Sequence, residues 1–241
     1  MELQVIASDS SGNGYLLKAK NETLLIECGC HINQIKQALD FNLKNVTAIV
    51  SHAHGDHAKY IKSVLEAGIP VYANEHTLTE KNLLGHHRVR MIEAGLTYKI
   101  GGFKVKPFNV NHDVPTLGFL IHHEEMGLTV FLTDTCYSNY TFSSVNHFIV
   151  ECNHDTEIME NNGTPTFLKN RIVKSHMNMQ TCKELLLAND LSKVHNIVLI
   201  HLSNNNSDAI RFKKEIAAIT GKTVFIAEKG LLIENFTQNP F

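Results

Sequence analysis

The sequence lacks the features that mark several large classes of protein. Its five cysteines include no C-x-x-C pair, so we expect neither a disulfide framework nor a cysteine-rich zinc site, but small buried side chains. Lysine and arginine number 22 against 24 acidic residues, for a formal charge of −2. Without a basic run, a stable complex with a nucleic acid is not expected.

Long apolar runs and linkers are missing as well. No run reaches the roughly 18–20 residues that span a bilayer, and the first ten residues lack the basic-then-apolar order of a secretory signal. We therefore predict a cytoplasmic protein of a bacterium or an infected host cell, with no membrane association. There is no repeat and no Pro/Gly/Ser-rich tract, which predicts that residues 1–241 form a single domain.

Strand-like segments dominate the first part of the chain and alternate with helical ones later, which predicts an α/β protein with a layered sheet core. The predicted helices are residues 31–41, 58–67, 182–190 and 208–219. The predicted strands are residues 3–8, 14–20, 23–27, 46–51, 103–110, 117–123, 128–133, 146–152, 195–202, 223–227 and 230–235.

Histidine is in excess, with 15 residues against 14 glycines. The densest cluster is His52-Ala-His54-Gly-Asp56-His57, directly after the predicted strand 46–51. Side chains at positions i and i+2 of an extended loop point the same way, and imidazole and carboxylate ligands suit Zn²⁺ and similar ions. The motif therefore indicates a metal site, the alternative being a solvated polar loop before a helix.

This motif at a strand end resembles the first metal motif of the metallo-β-lactamase fold, a four-layer αββα sandwich. The remaining ligands of that fold correspond to His112, Asp134 and His201, each at the end of a predicted strand. Any one of them alone could be structural. The resemblance implies two divalent ions, with Zn²⁺ expected and Mn²⁺ the alternative. One ion would be held by His52, His54 and His112, the other by Asp56, His57 and His201, and Asp134 would bridge them.

Several further stretches occur in the order typical of the bacterial YycJ (WalJ) branch of that superfamily, to which the phage anti-Pycsar proteins are similar. They are SGNGYLLKAKNETLLIECG, GIPVYANEHT, VNHDVPTLGFLI, FLTDTCY, VECNHD, SHMN and LIHLSNNN. The resemblance implies a homodimer and, from the phage proteins, cyclic-nucleotide hydrolysis in an anti-defence role. Glu27 stands where the family commonly has an aspartate that braces the metal loop, which puts that contact in doubt, and Asn205 replaces a common acidic residue.

Three residues are candidates for direct roles in catalysis. Asp56 is expected to orient the nucleophile, a hydroxide that the two metals share. His176 would contact the scissile phosphate or protonate the leaving oxygen, since an imidazole titrates near neutral pH; the alternative is a helix-cap histidine. His154 has either a role on the substrate side or a structural pairing with Asp155.

The sequence therefore predicts a metal-dependent phosphodiesterase that hydrolyses a small nucleotide, with 3′,5′-cyclic mononucleotides the favoured substrate. A single-strand DNA exonuclease of the YycJ type is the second hypothesis, and a thioester hydrolase of the glyoxalase II type is the third. A metal-holding scaffold without turnover stays open as a different class of protein. The loop 85–90, GHHRVR, either reaches a nucleotide or a neighbouring subunit or is a solvated loop.

Overall fold

Two seven-stranded β-sheets form the centre of the molecule in the computed structural model, which describes residues 1–239. In spatial order, the first sheet consists of β14 (Leu232–Ile233), β1 (Glu2–Asp9), β2 (Gly12–Lys18), β3 (Thr23–Ile26), β4 (Val46–Ile49), β5 (Val71–Ala73) and β6 (Val89–Met91). The second sheet consists of β13 (Thr223–Ile226), β12 (Asn196–Ile200), β11 (His147–Glu151), β10 (Gly127–Leu132), β9 (Thr116–His123), β8 (Phe103–Val110) and β7 (Tyr98–Ile100).

Helices cover the outer face of each sheet. The helices of the described chain are α1 (Ile32–Ala38), α2 (Gly55–Ala58), α3 (Ile61–Glu66), α4 (Glu75–Glu80), α5 (Thr156–Asn161), α6 (Thr166–Ser175), α7 (Met179–Leu187) and α8 (Ala209–Thr220). Side chains of α1, α3 and α4 pack with the first sheet in one core, and those of α7 and α8 pack with the second sheet in another. A third core lies between the sheets. The predicted four-layer αββα architecture is confirmed.

Alternation along the strands explains how each sheet is buried on both faces. Tyr15 and Leu17 of β2 lie in the core between the sheets, whereas Leu16 faces the helices. In β10, Phe131 faces the other sheet, while Val130 and Leu132 face the helices. Because successive side chains of a strand point to opposite faces, a continuous apolar run suits a strand covered on both sides.

The strand directions bring the functional loops together at one edge. In the first sheet β3, β4, β5 and β6 are parallel. In the second sheet β10, β11, β12 and β13 are parallel. The strand β8 runs in the same direction as β10, because both are antiparallel to β9, which lies between them. The carboxyl ends of β4, β8, β10 and β12 carry the predicted metal ligands, which is why residues far apart in sequence can meet there.

All the predicted strands are present, but one helix prediction is wrong. The predicted helix 58–67 is two short helices, α2 and α3, interrupted at Lys59 and Tyr60. The backbone N–H of Tyr60 donates to the carbonyl oxygen of Cys28 at 2.9 Å. This tertiary hydrogen bond uses a donor that a continuous helix would need for itself.

Short elements escaped the sequence pattern, because three-residue strands such as β5 and β6 carry too few residues for a periodicity. Across residues 1–239, no helix combines the length and the apolar character that a membrane crossing needs. Cys28, Cys30, Cys152 and Cys182 are buried and Cys136 is half-buried, all with unpaired thiols in the described structure.

Candidate metal centre

The loop after β4 presents the densest part of the predicted site. His52 and His57 are fully buried, whereas His54 is 32% exposed and Asp56 18% exposed. Gly29 holds this loop close to β3: a Cβ atom added there would lie 1.7 Å from the carbonyl oxygen of Asp56. Only glycine fits such an approach of one backbone to another.

Three strands of the second sheet contribute one predicted ligand each, from the loops that follow them. His112 follows β8, Asp134 follows β10 and His201 directly follows β12. The His112 Nδ1 atom lies 3.0 Å from the carbonyl oxygen of Ser175, which orients the ring and leaves Nε2 for the centre. The structure therefore brings together all seven residues predicted as ligands.

Asp134 lies between the two groups of histidines. Its Oδ2 atom is 3.5 Å from Nε2 of both His52 and His112. Its Oδ1 atom is 3.4 Å from Nε2 of His57 and 2.8 Å from Nδ1 of His201. One carboxylate thus faces both groups, which is the position that a bridging ligand requires.

The ligand atoms fall into overlapping clusters, each spanning less than 4.8 Å. The clusters are His52, His54, His112 and Asp134; Asp56, His57 and His201; and Asp134, Glu151, His176 and His201. The first two contain, with Asp134, the two sets that the family resemblance implied.

A buried nitrogen atom without a partner shows that these residues fit a metal ion. The Nε2 atom of His52 is buried without a hydrogen-bond partner in the described chain, while its Nδ1 atom lies 2.8 Å from the Ser51 hydroxyl. A buried polar atom without a partner is costly, and a metal ion would satisfy it. Burial and the neighbouring His57 lower the pKa of His52, which keeps its imidazole in the neutral form that binds metals.

The carboxylates of the centre are in their ionised form. Burial opposes the ionisation of Asp56, yet hydrogen bonds from His201 and His57 take its pKa well below the ordinary value. Burial likewise opposes the ionisation of Asp134, but the charges of His201 and His57 hold its pKa low. Both side chains are therefore available as anionic ligands for a divalent cation.

Three residues of the site have left-handed backbone conformations that side chains other than glycine rarely adopt. They are Glu27 (φ 69°), Asp134 (φ 47°) and His201 (φ 55°), each within two residues of a strand end. Each residue held in this conformation costs about 1–3 kcal/mol of stability, and the conformation persists only where the surrounding structure imposes it. Here it turns the chain sharply out of the strand, so that the side chain is held at the edge of the sheets.

Glu27 does contact the metal loop, which resolves the doubt that its longer side chain raised. It is fully buried at the end of β3, with its Oε1 atom 3.4 Å from Nδ1 of His57. Its Oε2 atom accepts a hydrogen bond from the backbone N–H of Ser51 at 3.2 Å. The left-handed turn at Glu27 places the longer side chain where it still reaches both partners.

Glu151 is the residue of the site that sequence reasoning missed. It is fully buried at the end of β11, and its Oε1 atom lies 2.7 Å from Nδ1 of His176 and 3.2 Å from Nδ1 of His201. Its Oε2 atom accepts from the backbone N–H groups of Thr135 and Met177. The signal available was a lone acidic residue ending an otherwise apolar strand.

His176 lies beside the centre and ends α6, rather than capping α7, which Asn178 caps. Burial opposes protonation of its ring, but the charge of Glu151 raises its pKa above the ordinary value. With Nδ1 engaged by Glu151, the Nε2 atom is left for a ligand in the cavity that His176 lines.

His154 does not reach that cavity. It is fully buried, neither of its ring nitrogens has a hydrogen-bond partner within the described residues, and burial lowers its pKa to about 4. The alternative pairing with Asp155 is not formed either, because the Asp155 carboxylate caps α5 and binds Arg211 at 2.6 Å.

A cavity of about 270 Å³ opens over the centre. Its lining combines site residues with polar residues of neighbouring loops and one face of α6: Ser10, His54, Asp56, His112, Asp113, Asp134, Asn153, Arg171, Ile172, Ser175, His176, His201 and Ser203. A larger cavity of about 750 Å³ lies near Lys18, Lys20 and Lys44 and contains none of the predicted site residues. The site chemistry therefore belongs to the smaller cavity.

Comparison with known proteins defines the class. The family model of the metallo-beta-lactamase superfamily matches residues 7–136, which is more than half of the chain and includes six of the seven predicted ligands. The chain belongs to the metallo-β-lactamase superfamily. At the level of the superfamily, the prediction that the chain is a hydrolase is confirmed.

The relatives include nucleases. The chain is 28% identical over 233 residues to the exodeoxyribonuclease WalJ of Streptococcus pneumoniae serotype 2, an alignment that covers 90% of this chain and 85% of WalJ. It is 28% identical over 126 residues to the ribonuclease Z of Metallosphaera sedula, covering 46% of this chain and 43% of that one. The metallo-beta-lactamase fold protein YhfI from Bacillus subtilis superposes with a TM-score of 0.77 at 18% identity, covering 96% and 98% of the two chains.

Proposed function

We propose that the protein is a metal-dependent phosphodiesterase that hydrolyses a small nucleotide, with 3′,5′-cyclic mononucleotides as the favoured substrates. The observation that carries this proposal is the cavity of about 270 Å³ with the ligand clusters at its base. A cavity of this volume can accommodate one nucleotide. Among its described lining residues, Arg171 is the one lysine or arginine.

Two divalent ions fit the residues, and Zn²⁺ is the proposed metal because imidazole and carboxylate ligands suit it, with Mn²⁺ the alternative. His52, His54 and His112 would hold one ion, and Asp56, His57 and His201 the other, with Asp134 shared. When bound, such ions stabilise negative charge and lower the pKa of a coordinated water.

The remaining steps are assigned to side chains of the cavity. The Oδ2 atom of Asp56 lies 3.2 Å from Nε2 of His57 and 3.4 Å from Nε2 of His201, and from this position Asp56 would orient the attacking water. His176 is the proposed contact to the phosphate or to the leaving oxygen, since Glu151 fixes its ring through Nδ1. No substrate contact is proposed for His154, which the cavity does not reach.

The charge of the chain supports a small substrate. Polynucleotide binding draws on many lysine and arginine contacts to successive phosphates. The chain has a formal charge of −2 and no basic run. A cyclic mononucleotide needs only one phosphate contact, which the centre and the cavity can supply.

A second candidate is a DNA exonuclease. It is favoured by the similarity to WalJ, which covers 90% of this chain. The thioester hydrolase is a weaker candidate, because none of the reported relatives bears that activity in its name. The scaffold hypothesis is disfavoured because all seven ligands are present and brought together.

One panel tests these functions. The metal-loaded protein is incubated with 3′,5′-cyclic AMP, CMP, GMP and UMP, with single-stranded DNA and with a glutathione thioester, each with and without a chelator. We expect chelator-sensitive release of nucleoside monophosphate from at least one cyclic nucleotide. Cleavage of DNA alone would overturn the favoured substrate in support of the exonuclease, and no turnover with two metals bound would favour the scaffold.

The homodimer and the cytoplasmic location stay predictions. Sedimentation of the purified protein at working concentration tests the dimer, and a strict monomer would remove it.

A further inference from the structure

One face of α6 forms a wall of the cavity. Arg171, Ile172 and Ser175 line the cavity with the spacing of residues on one side of a helix, and His176 follows directly after the helix. The end of this helix is held to the centre, because the carbonyl oxygen of Ser175 lies 3.0 Å from Nδ1 of His112. The Ser175 hydroxyl donates to the carbonyl oxygen of Arg171 at 2.8 Å, one turn earlier on the same face.

Arg171 differs from the other groups of the cavity in charge. The lining includes the carboxylates of Asp56, Asp113 and Asp134, and Arg171 is its one lysine or arginine among the described residues. Its guanidinium forms no ion pair or hydrogen bond with any side chain or backbone group of residues 1–239, whereas Arg211 binds Asp155 and Glu215. Arg171 is exposed, so its donors are open to solvent and to a ligand at the edge of the cavity.

We propose that Arg171 is a specificity-determining residue that binds a non-bridging phosphate oxygen of the substrate, so that the site selects phosphate esters over neutral esters and thioesters. The proposal deepens the phosphodiesterase function and rests on it. A guanidinium presents two parallel N–H donors that match a phosphate in geometry as well as in charge, which a lysine ammonium does not.

The neighbouring lysines of α6 provide matched controls. Lys169 and Lys174 carry the same charge on the same helix but do not line the cavity. A general electrostatic attraction would depend on all three cations alike, whereas a direct contact depends on Arg171 alone. Lys174→Gln therefore serves as the control for Arg171→Gln.

The experiment measures phosphate binding and selectivity in the metal-loaded protein. Binding of inorganic phosphate is followed by calorimetry, and steady-state hydrolysis is compared for bis(4-nitrophenyl) phosphate and for the neutral ester 4-nitrophenyl acetate. The metal content of each variant is determined in parallel. We expect Arg171→Gln to weaken phosphate binding about 10-fold and to raise KM for the phosphodiester by a similar factor, as loss of a charge-assisted hydrogen bond implies.

The pattern across variants identifies a direct contact. Arg171→Lys should lie between the wild type and Arg171→Gln, and Lys174→Gln should match the wild type. Rates on the neutral ester and the metal content should stay unchanged in all variants. An unchanged phosphate affinity in Arg171→Gln, an equal loss in Lys174→Gln, or a loss of metal would each overturn the proposal.

Failure of the proposed function gives a different result. If the wild type cleaves no phosphodiester, the proposed phosphodiesterase function is wrong. The calorimetric comparison of phosphate binding still shows whether Arg171 forms the anion contact.

Discussion

The two halves of the molecule, each a seven-stranded sheet with its helices and the loops that follow its strands, build the candidate metal centre in different ways. The first half contributes four of the predicted ligands from one six-residue segment that follows β4 and ends in α2, and this segment packs against Gly29. The second half contributes His112, Asp134 and His201 from three separate strand ends. A contiguous motif can be recognised in the sequence. The three separate residues come together only because the strands that precede them end at the same edge.

Each half also has one buried glutamate behind its ligands. Glu27 ends β3 and Glu151 ends β11, and both are fully buried. Glu27 contacts His57 at 3.4 Å, while Glu151 contacts two histidines, His176 and His201, at 2.7 and 3.2 Å. The second half is therefore the more tightly connected, and it joins the metal centre to the proposed catalytic histidine.

The largest effect is expected where the two halves share a residue. Asp134→Asn should reduce bound metal and lower the hydrolysis rate by about 10³–10⁴-fold, because the shared anionic ligand is lost to both groups of histidines. Metal analysis and steady-state kinetics check this, with the exposed Asp190→Asn as control. A variant that keeps two ions and a normal rate would refute the shared role of Asp134.

The next effect concerns the proposed catalytic histidine of the second half. His176→Ala should lower kcat by about 10²-fold, in the range of a lost general acid, while the bound metal stays the same. Parallel measurements of kcat and metal content test this, with the exposed His122→Ala as the control. Full turnover in the metal-loaded variant would show that His176 has a structural role instead.

The two glutamates can be compared directly. Glu151→Gln should lower activity by about 10–100-fold, because an amide cannot accept from His176 and His201 as a carboxylate does. Glu27→Gln should cost less, about 10-fold or under, since it contacts one histidine at longer range. Activity and metal affinity of both variants are measured beside the exposed Glu124→Gln. Equal losses would contradict the difference between the halves.

The smallest effect concerns acid stability and belongs to the other end of β11. His147 is fully buried against Phe236, and burial lowers its pKa to about 3. The unfolded chain takes up a proton there below about pH 6.5 while the folded chain does not, so stability falls as the pH drops from that value toward 3. The slope due to this group approaches about 1.4 kcal/mol per pH unit.

Urea unfolding of the metal-free protein between pH 4 and 7 measures that slope. His147→Gln should show a flatter dependence on pH, and the exposed His122→Ala should behave as the wild type. The same slope in His147→Gln would show that another group causes the acid sensitivity.

Residue patterns predicted much of this structure. The alternation of apolar residues predicted the strands, and the motif from His52 to His57, with the family resemblance that it carries, predicted a seven-residue ligand set that the structure brings together. Neither alternative for His154 is matched by a contact in the described structure, because its ring is buried without a hydrogen-bond partner and Asp155 binds Arg211. Sequence pattern gave no sign of that orientation. Glu151 was missed because a single acidic residue at a strand end is not a motif.

By itself, the sequence determined the layered architecture and the motif from His52 to His57, because both follow from residue type and from a spacing of a few positions. The other three predicted ligands, His112, Asp134 and His201, followed from the resemblance to the metallo-β-lactamase fold. Only the tertiary structure decided how Asp134 faces two groups of histidines and how Glu27 still reaches His57. It also decided that Arg171 lies at the cavity with His176. These contacts are between residues of different strands and of α6. They depend on the directions of the strands and on left-handed turns, which form only when the two sheets pack together.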